Sequence, residues 1–151
     1  MFKYIALVFL YTSVPLVATA TESHCTAIES VIWSCSSNNK IYSVCASKNL
    51  GASTGYMQYR VGYLRKPDFL YPEKPQHPKS FFNFELLNRA ARLNFTNVKF
   101  HYEITDQLIG ESYIDVTKNE KPVATVTCSD STQTLTDTTS INLFKAIGIY
   151  E

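Results

Sequence analysis

The chain has 151 residues, with 14 Lys and Arg against 13 Asp and Glu, and only one of these charges, Lys3, falls in the first 20 positions. Residues 21–151 therefore carry no formal net charge, which argues against the clustered basic surface of a nucleic-acid binder and against a polybasic membrane-surface protein. With 45% hydrophobic, 13% aromatic and 18% charged residues, the chain has enough apolar material to offset the entropy of ordering, so disorder is excluded too.

Lys3 followed by the apolar stretch 4–11, a break at Pro15 and the small residues Ala18-Thr19-Ala20 predicts a secretory signal over residues 1–20, cleaved after Ala20. Thr12, Ser13 and Pro15 interrupt the stretch well short of the roughly 20 apolar residues that a spanning helix needs, so no membrane span is expected after cleavage. Residues 21–151 are expected to be a single disulfide-tied β domain.

Cys25, Cys35, Cys45 and Cys128 remain, an even number that reads as two disulfides in an exported domain. No pair has C-x-x-C spacing, which disfavours metal and redox roles. A tight turn at Asn38-Asn39 would set Cys35 opposite Tyr42 and Cys45 on the other face, so a Cys35–Cys45 bridge is disfavoured. The other two arrangements both tie Cys25 and Cys128 to the first hairpin and stay open.

Period-two alternation recurs between turn signals along residues 31–61, the pattern of antiparallel strands. Val31, Trp33 and Cys35 pair across the Asn turn with Tyr42, Val44 and Ala46. Met57, Tyr59 and Val61 occupy one face of a third strand ending near Gly62, with Tyr56, Gln58 and Arg60 on the other. The segment 65–79 contains Pro67, Pro72, Pro75 and Pro78 and is predicted to be a long surface loop, with strand geometry confined to 68–71 at most.

Residues 82–93 contain good helix formers yet alternate at Phe82, Phe84 and Leu86; two strands are the preferred reading. A turn is placed at Thr96-Asn97, followed by a strand with Val98, Phe100, Tyr102 and Ile104 inward. Gly110 marks the next turn, 112–117 and 122–128 form a last hairpin, and a polar tract over 129–140 leads to a short helix over 141–147 ended by Gly148. The expected fold is mainly β: an antiparallel barrel or sandwich of about eight strands with a short C-terminal helix.

Trp33-Ser34-Cys35, the run 40–47 (KIYSVCAS) and the run 55–62 (GYMQYRVG) resemble a family of small exported bacterial proteins of uncharacterised function. Tyr71-Pro72, Phe100-His101-Tyr102 and 123–128 extend the resemblance over most of residues 21–151; Asn88-Arg89-Ala90-Ala91 departs from it where such proteins carry a Gly-rich turn. The resemblance implies a bacterial protein of the periplasm or medium and no particular activity.

Catalytic chemistry finds little support. His24, His77 and His101 are scattered, there is no G-x-S-x-G elbow, and every cysteine is expected to be oxidised; Glu103, Asp106, Glu111 and Asp115 are spread over two strands and a turn, so no metal site or cofactor is expected. Asn94-Phe95-Thr96 matches a glycosylation sequon but reads as an ordinary hairpin turn in a bacterial protein. Arg60 beside Tyr56 and Gln58 could bind a carboxylate or stack on a sugar, or form a cross-strand ion pair.

Tyr63, Phe69, Leu70, Tyr71, Phe81 and Phe82 bracket the Pro-rich segment, either as an aromatic recognition patch or as a loop packing its aromatics back onto the sheet. Tyr63, Phe69, Tyr71 and Phe82, with Arg60 and Arg65, make the candidate binding surface. The expected function is a monomeric, non-enzymatic binding module whose partner is a protein or glycan of the cell envelope. A protein inhibitor resembling lysozyme inhibitors is its more specific form, by fold analogy alone. A small periplasmic hydrolase and a structural envelope protein are the alternatives.

Overall fold

The computed structural model describes residues 22–64, 66–132 and 135–151. The expected signal segment over residues 1–20, its expected cleavage point after Ala20 and the candidate Arg65 lie outside the described residues. Asn38 and Asn39 take φ of 49° and 63°, the left-handed pair that a two-residue hairpin turn demands and that Asn tolerates. They join β1 (Glu29–Ser37) to β2 (Lys40–Ser47) with Cys35 opposite Tyr42. A bulge between Val31 and Trp33 breaks the strict alternation of β1, and Ile32 joins the core as a result.

β3 (Met57–Tyr63) follows antiparallel to β2, and β4 (Lys66–Gln76) pairs with β3. The predicted surface loop is thus an edge strand. Prolines are tolerated there because one side of an edge strand needs no ladder N–H. The ladder between Tyr59↔Tyr71 and Met57↔Gln76 is interrupted, and the extra residues arch away from the sheet. Gly62 sits directly against Pro67, where a Cβ would meet the Lys66 carbonyl and the Pro67 Cα at contact distances that no side chain tolerates.

A 3-10 turn at Pro78–Ser80 leads into the second sheet, built from β5 (Asn83–Leu86), β6 (Ala90–Asn97), β7 (Phe100–Gln107), β8 (Tyr113–Lys118) and β9 (Lys121–Thr127). Residues 83–97 are two strands, because Phe84 and Leu93 face each other across the pair and are both fully buried. The β6–β7 turn falls on Val98 and Lys99 rather than Thr96-Asn97. Val98 points outward at 87% exposure rather than into the core. The polar tract after Cys128 supplies a further short strand, β10 (Asp130–Thr132), which pairs with β1, and then α1 (Thr138–Ala146), whose N-cap is Asp137.

Two five-stranded antiparallel sheets result, in the orders β10-β1-β2-β3-β4 and β5-β6-β7-β8-β9. Neither sheet closes on itself, so of the expected barrel or sandwich the described residues form the sandwich, with ten strands. Its core joins Trp33, Val44, Met57 and Tyr59 of the first sheet to Leu93, Phe95, Ile104 and Ile114 of the second, all buried. Full burial of such side chains contributes on the order of 2 kcal/mol each, which is the main force closing the two layers.

The disulfides are Cys25–Cys45 and Cys35–Cys128. Cys35 lies in the core and fastens the connection between β9 and β10, whereas Cys45 fastens the N-terminal strap (residues 22–28) to the outer face of the first sheet. No helix of the described residues is long and apolar enough to cross a membrane.

Candidate functional site

The arch in β4 leaves an open groove of about 630 Å³ between that edge and the β6–β7 end of the second sheet. Phe69, Leu70, Tyr71 and Phe81 supply its apolar wall, and Gln76 and Asn97 its polar one. A smaller groove of about 330 Å³ adjoins it and shares Tyr71 and Phe81, adding Asn83, Asn94 and Thr96.

The aromatic wall is rigid for a physical reason. Tyr71 stacks on Phe95 at 4.5 Å between centroids, Phe95 on Tyr102 at 4.7 Å, and Tyr102 on Phe69 at 5.6 Å, with interplanar angles of 16°, 8° and 27°. Phe81 and Phe82 meet Tyr71 edge-on at 6.1 and 5.7 Å. This column runs from the core to the groove, so the exposed parts of Tyr71 and Phe69 are braced by close-packed rings. Burial raises the Tyr71 and Tyr102 hydroxyl pKa values above the ordinary phenol value, and both hydroxyls stay neutral across physiological pH.

The opposite side of the arch is held from beneath. Gln58 Nε2 donates to the carbonyls of Pro72 at 2.8 Å and Glu73 at 3.3 Å, replacing ladder bonds that the arch forgoes. Gln58 Oε1 accepts from Arg60 Nε at 2.9 Å. The remaining guanidinium nitrogens bind Glu29 in a fork, at 2.8 and 2.6 Å, and Nη1 also reaches the His24 carbonyl. Glu29 accepts further bonds from Thr26 N and the Tyr56 hydroxyl. Burial alone would raise the Glu29 carboxyl, but Arg60 and these other donors outweigh it and hold the pKa at about 2.

The sequence-derived candidates therefore divide. Phe69 and Tyr71 line the groove, together with Leu70 and Phe81 of the same bracket around the Pro-rich segment. Phe82 is buried and lines only the smaller groove. Tyr63 is 55% exposed at the β3–β4 hairpin, with Lys40 Nζ over its ring at 5.5 Å, and lies apart from the groove. Arg60 is buried with its donors engaged, so it forms the ion pair and offers nothing to a ligand. Its partner Glu29 lies 31 residues away and carries no local sequence signal.

His24 donates from its backbone N–H to Ser43 Oγ and contacts the Gly62 carbonyl through its ring; His77 contacts the Gly51 carbonyl, and His101 sits beside Thr96 and Glu103 on the outer face of the second sheet. None of the three lines the groove. Among the described residues no group of three or more His, Cys, Asp or Glu is placed to hold a metal ion.

Compared with protein-family models, curated proteins and solved structures, the chain matches none.

Proposed function

We propose that the protein is an exported, non-enzymatic binding module whose ligand seats in the groove beside β4. The observation that carries this reading is the arch itself. A single residue opposite Gln58 would have continued the ladder, yet Pro72 to Pro75 stand outside it there, with the Pro72 and Glu73 carbonyls bonded by Gln58, and frame a groove with a packed aromatic wall. Its volume lies in the range of ligand-binding clefts. Two disulfides suit an oxidising compartment, and the leader-like residues 1–20 support export. The resemblance to small exported bacterial proteins supports the periplasm or medium of a bacterium as the setting.

The test is retention of envelope and medium components on the immobilised, oxidised protein. Leu70→Glu and Gln76→Leu, at exposed positions of the groove wall, should each lose the retained component, with circular dichroism and melting unchanged. Lys118→Ala, on the β8–β9 hairpin, should retain it as well as the parent does. Equal retention by all three variants would remove the groove from the binding surface.

A further inference from the structure

We propose that the two adjoining grooves are subsites for a neutral oligosaccharide, an inference that rests on the groove being the binding site and assigns its ligand class.

The two grooves share Tyr71 and Phe81 as a common wall, so a ligand filling both has repeating units on either side of an aromatic ridge. Sugar rings present apolar C–H faces that pack on such rings, and hydroxyls around their rims that both donate and accept. The polar lining matches the rims. Gln76 and Asn97 stand on one side, with Asn83, Asn94 and Thr96 on the other, and these side chains likewise carry donors and acceptors together.

Charge points the same way. The larger groove holds Asp68, Glu73 and Lys74, and the smaller one Lys79, a formal sum of zero. Among the described residues no arginine fork lines either groove, and forks are what planar anions select. Asn94 Nδ2 is held only loosely, by contacts of 3.4 Å to Asn83 and Glu85, which a ligand hydroxyl replaces at small cost.

The alternative occupant of a sheet edge is an extended peptide, bound by main-chain hydrogen bonds. β4 is badly suited to it. Pro67, Pro72 and Pro75 have no N–H, and Lys66, Asp68, Glu73 and Lys74 stud the strand, which are the devices that keep edges from pairing. Recognition at β4 is therefore by side chains, on a wall already rigid before the ligand arrives.

The experiment titrates the oxidised, isotope-labelled protein by NMR with chitotetraose, cellotetraose and maltotetraose, alongside a tetragalacturonate and an extended ten-residue peptide. At least one neutral tetrasaccharide should shift the amides of Leu70, Gln76, Phe81, Asn94 and Asn97 together. Phe81→Ala should weaken it about tenfold or more, with Lys118→Ala unchanged. Should Phe81→Ala fail to fold, Gln76→Leu, at an exposed position outside the ring column, is expected to give a loss of the same order. Shifts with the galacturonate or the peptide but with no neutral sugar would overturn the ligand class while leaving the groove as the binding site. No shift with any probe overturns the oligosaccharide proposal, and the retention experiment then decides separately whether the groove binds at all.

Discussion

Cys35 and Cys45 stand in neighbouring strands of one sheet on opposite faces, Cys35 inside the sandwich and Cys45 beneath the N-terminal strap. Each consequently bonds a different part of the chain, Cys128 at a separation of 93 residues and Cys25 at a separation of 20. Chain entropy gives the longer loop about 4.5 kcal/mol and the shorter about 3 kcal/mol. Non-reducing peptide mapping should show these two bridges alone. In urea unfolding, Cys35→Ala with Cys128→Ala should lose about 1.5 kcal/mol more than Cys25→Ala with Cys45→Ala; the reverse order would contradict the entropic ranking.

The Glu29–Arg60 pair makes stability depend on pH in a defined window. Glu29 has a pKa of about 2 in the folded protein against an ordinary 4.5, so between these values the unfolded chain binds more protons. Its stabilising contribution is complete above about pH 4.5 and is lost as pH falls towards 2, a change of roughly 3 kcal/mol. Unfolding measured from pH 5 down to 2.5 should show this slope, and Glu29→Gln should flatten it. Arg60→Met leaves the buried carboxylate unpaired and should cost about 3 to 5 kcal/mol at pH 7, whereas Glu29→Leu combined with Arg60→Met should recover most of that loss. An Arg60→Met protein as stable as the parent would show that the ion pair is not needed.

Much of this architecture is legible in the residues, and the exceptions have physical causes. Asn38-Asn39 announced the first hairpin because few other residues accept positive φ, and the opposite faces of Cys35 and Cys45 followed from strand period alone. Phe84 and Leu93 outweighed the helix formers around them because tertiary burial overrides propensity. The β4 segment is hidden because its three prolines, with Pro78 just beyond, read as a loop unless the strand is known to be an edge, a property of the assembled sheet. The Arg60 partner was hidden for the same kind of reason: Glu29 reaches it only because β1 and β3 flank β2 and the strap closes over them. Phe81 is legible as one of the aromatics around the Pro-rich segment, while its edge-on contact with Tyr71 depends on how the two sheets meet.

Val98 is a β-branched residue at φ 57°, 87% exposed. It occupies the first position of a two-residue turn, where left-handed backbone favours Asn or Gly. Thr96-Asn97 looked the better turn, but the observed register pairs Asn97 with Phe100 and sets Phe95 against Tyr102, and that stacked pair outweighs the local strain. Val98→Asn should therefore stabilise by about 1 kcal/mol, or about 4 °C in Tm. Val98→Gly should gain less, because glycine enlarges the entropy of the unfolded chain. A loss of stability in Val98→Asn would mean that the valine makes contacts worth more than its strain.

The C-terminal tail closes an edge that would otherwise be open. After α1, Gly148 at φ 73° turns the chain back along β5. There Phe84 N–H donates to the Ile149 carbonyl at 2.7 Å and the Phe84 carbonyl accepts from Glu151 N–H at 3.0 Å. Ile149 is buried and the Tyr150 ring lies 5.6 Å from that of Phe84. Deleting residues 149–151 removes both hydrogen bonds and the burial of Ile149, an expected loss of about 3 kcal/mol. It also bares a strand edge, so the shortened chain should self-associate as its concentration rises, as measured by size-exclusion chromatography with light scattering. The contact at position 151 is made by the main chain, which allows a sharper comparison. Glu151→Ala keeps the N–H and should match the parent, while Glu151→Pro removes it and should cost about 1 kcal/mol. Equal stability of those two variants would show that the edge is not closed by this hydrogen bond.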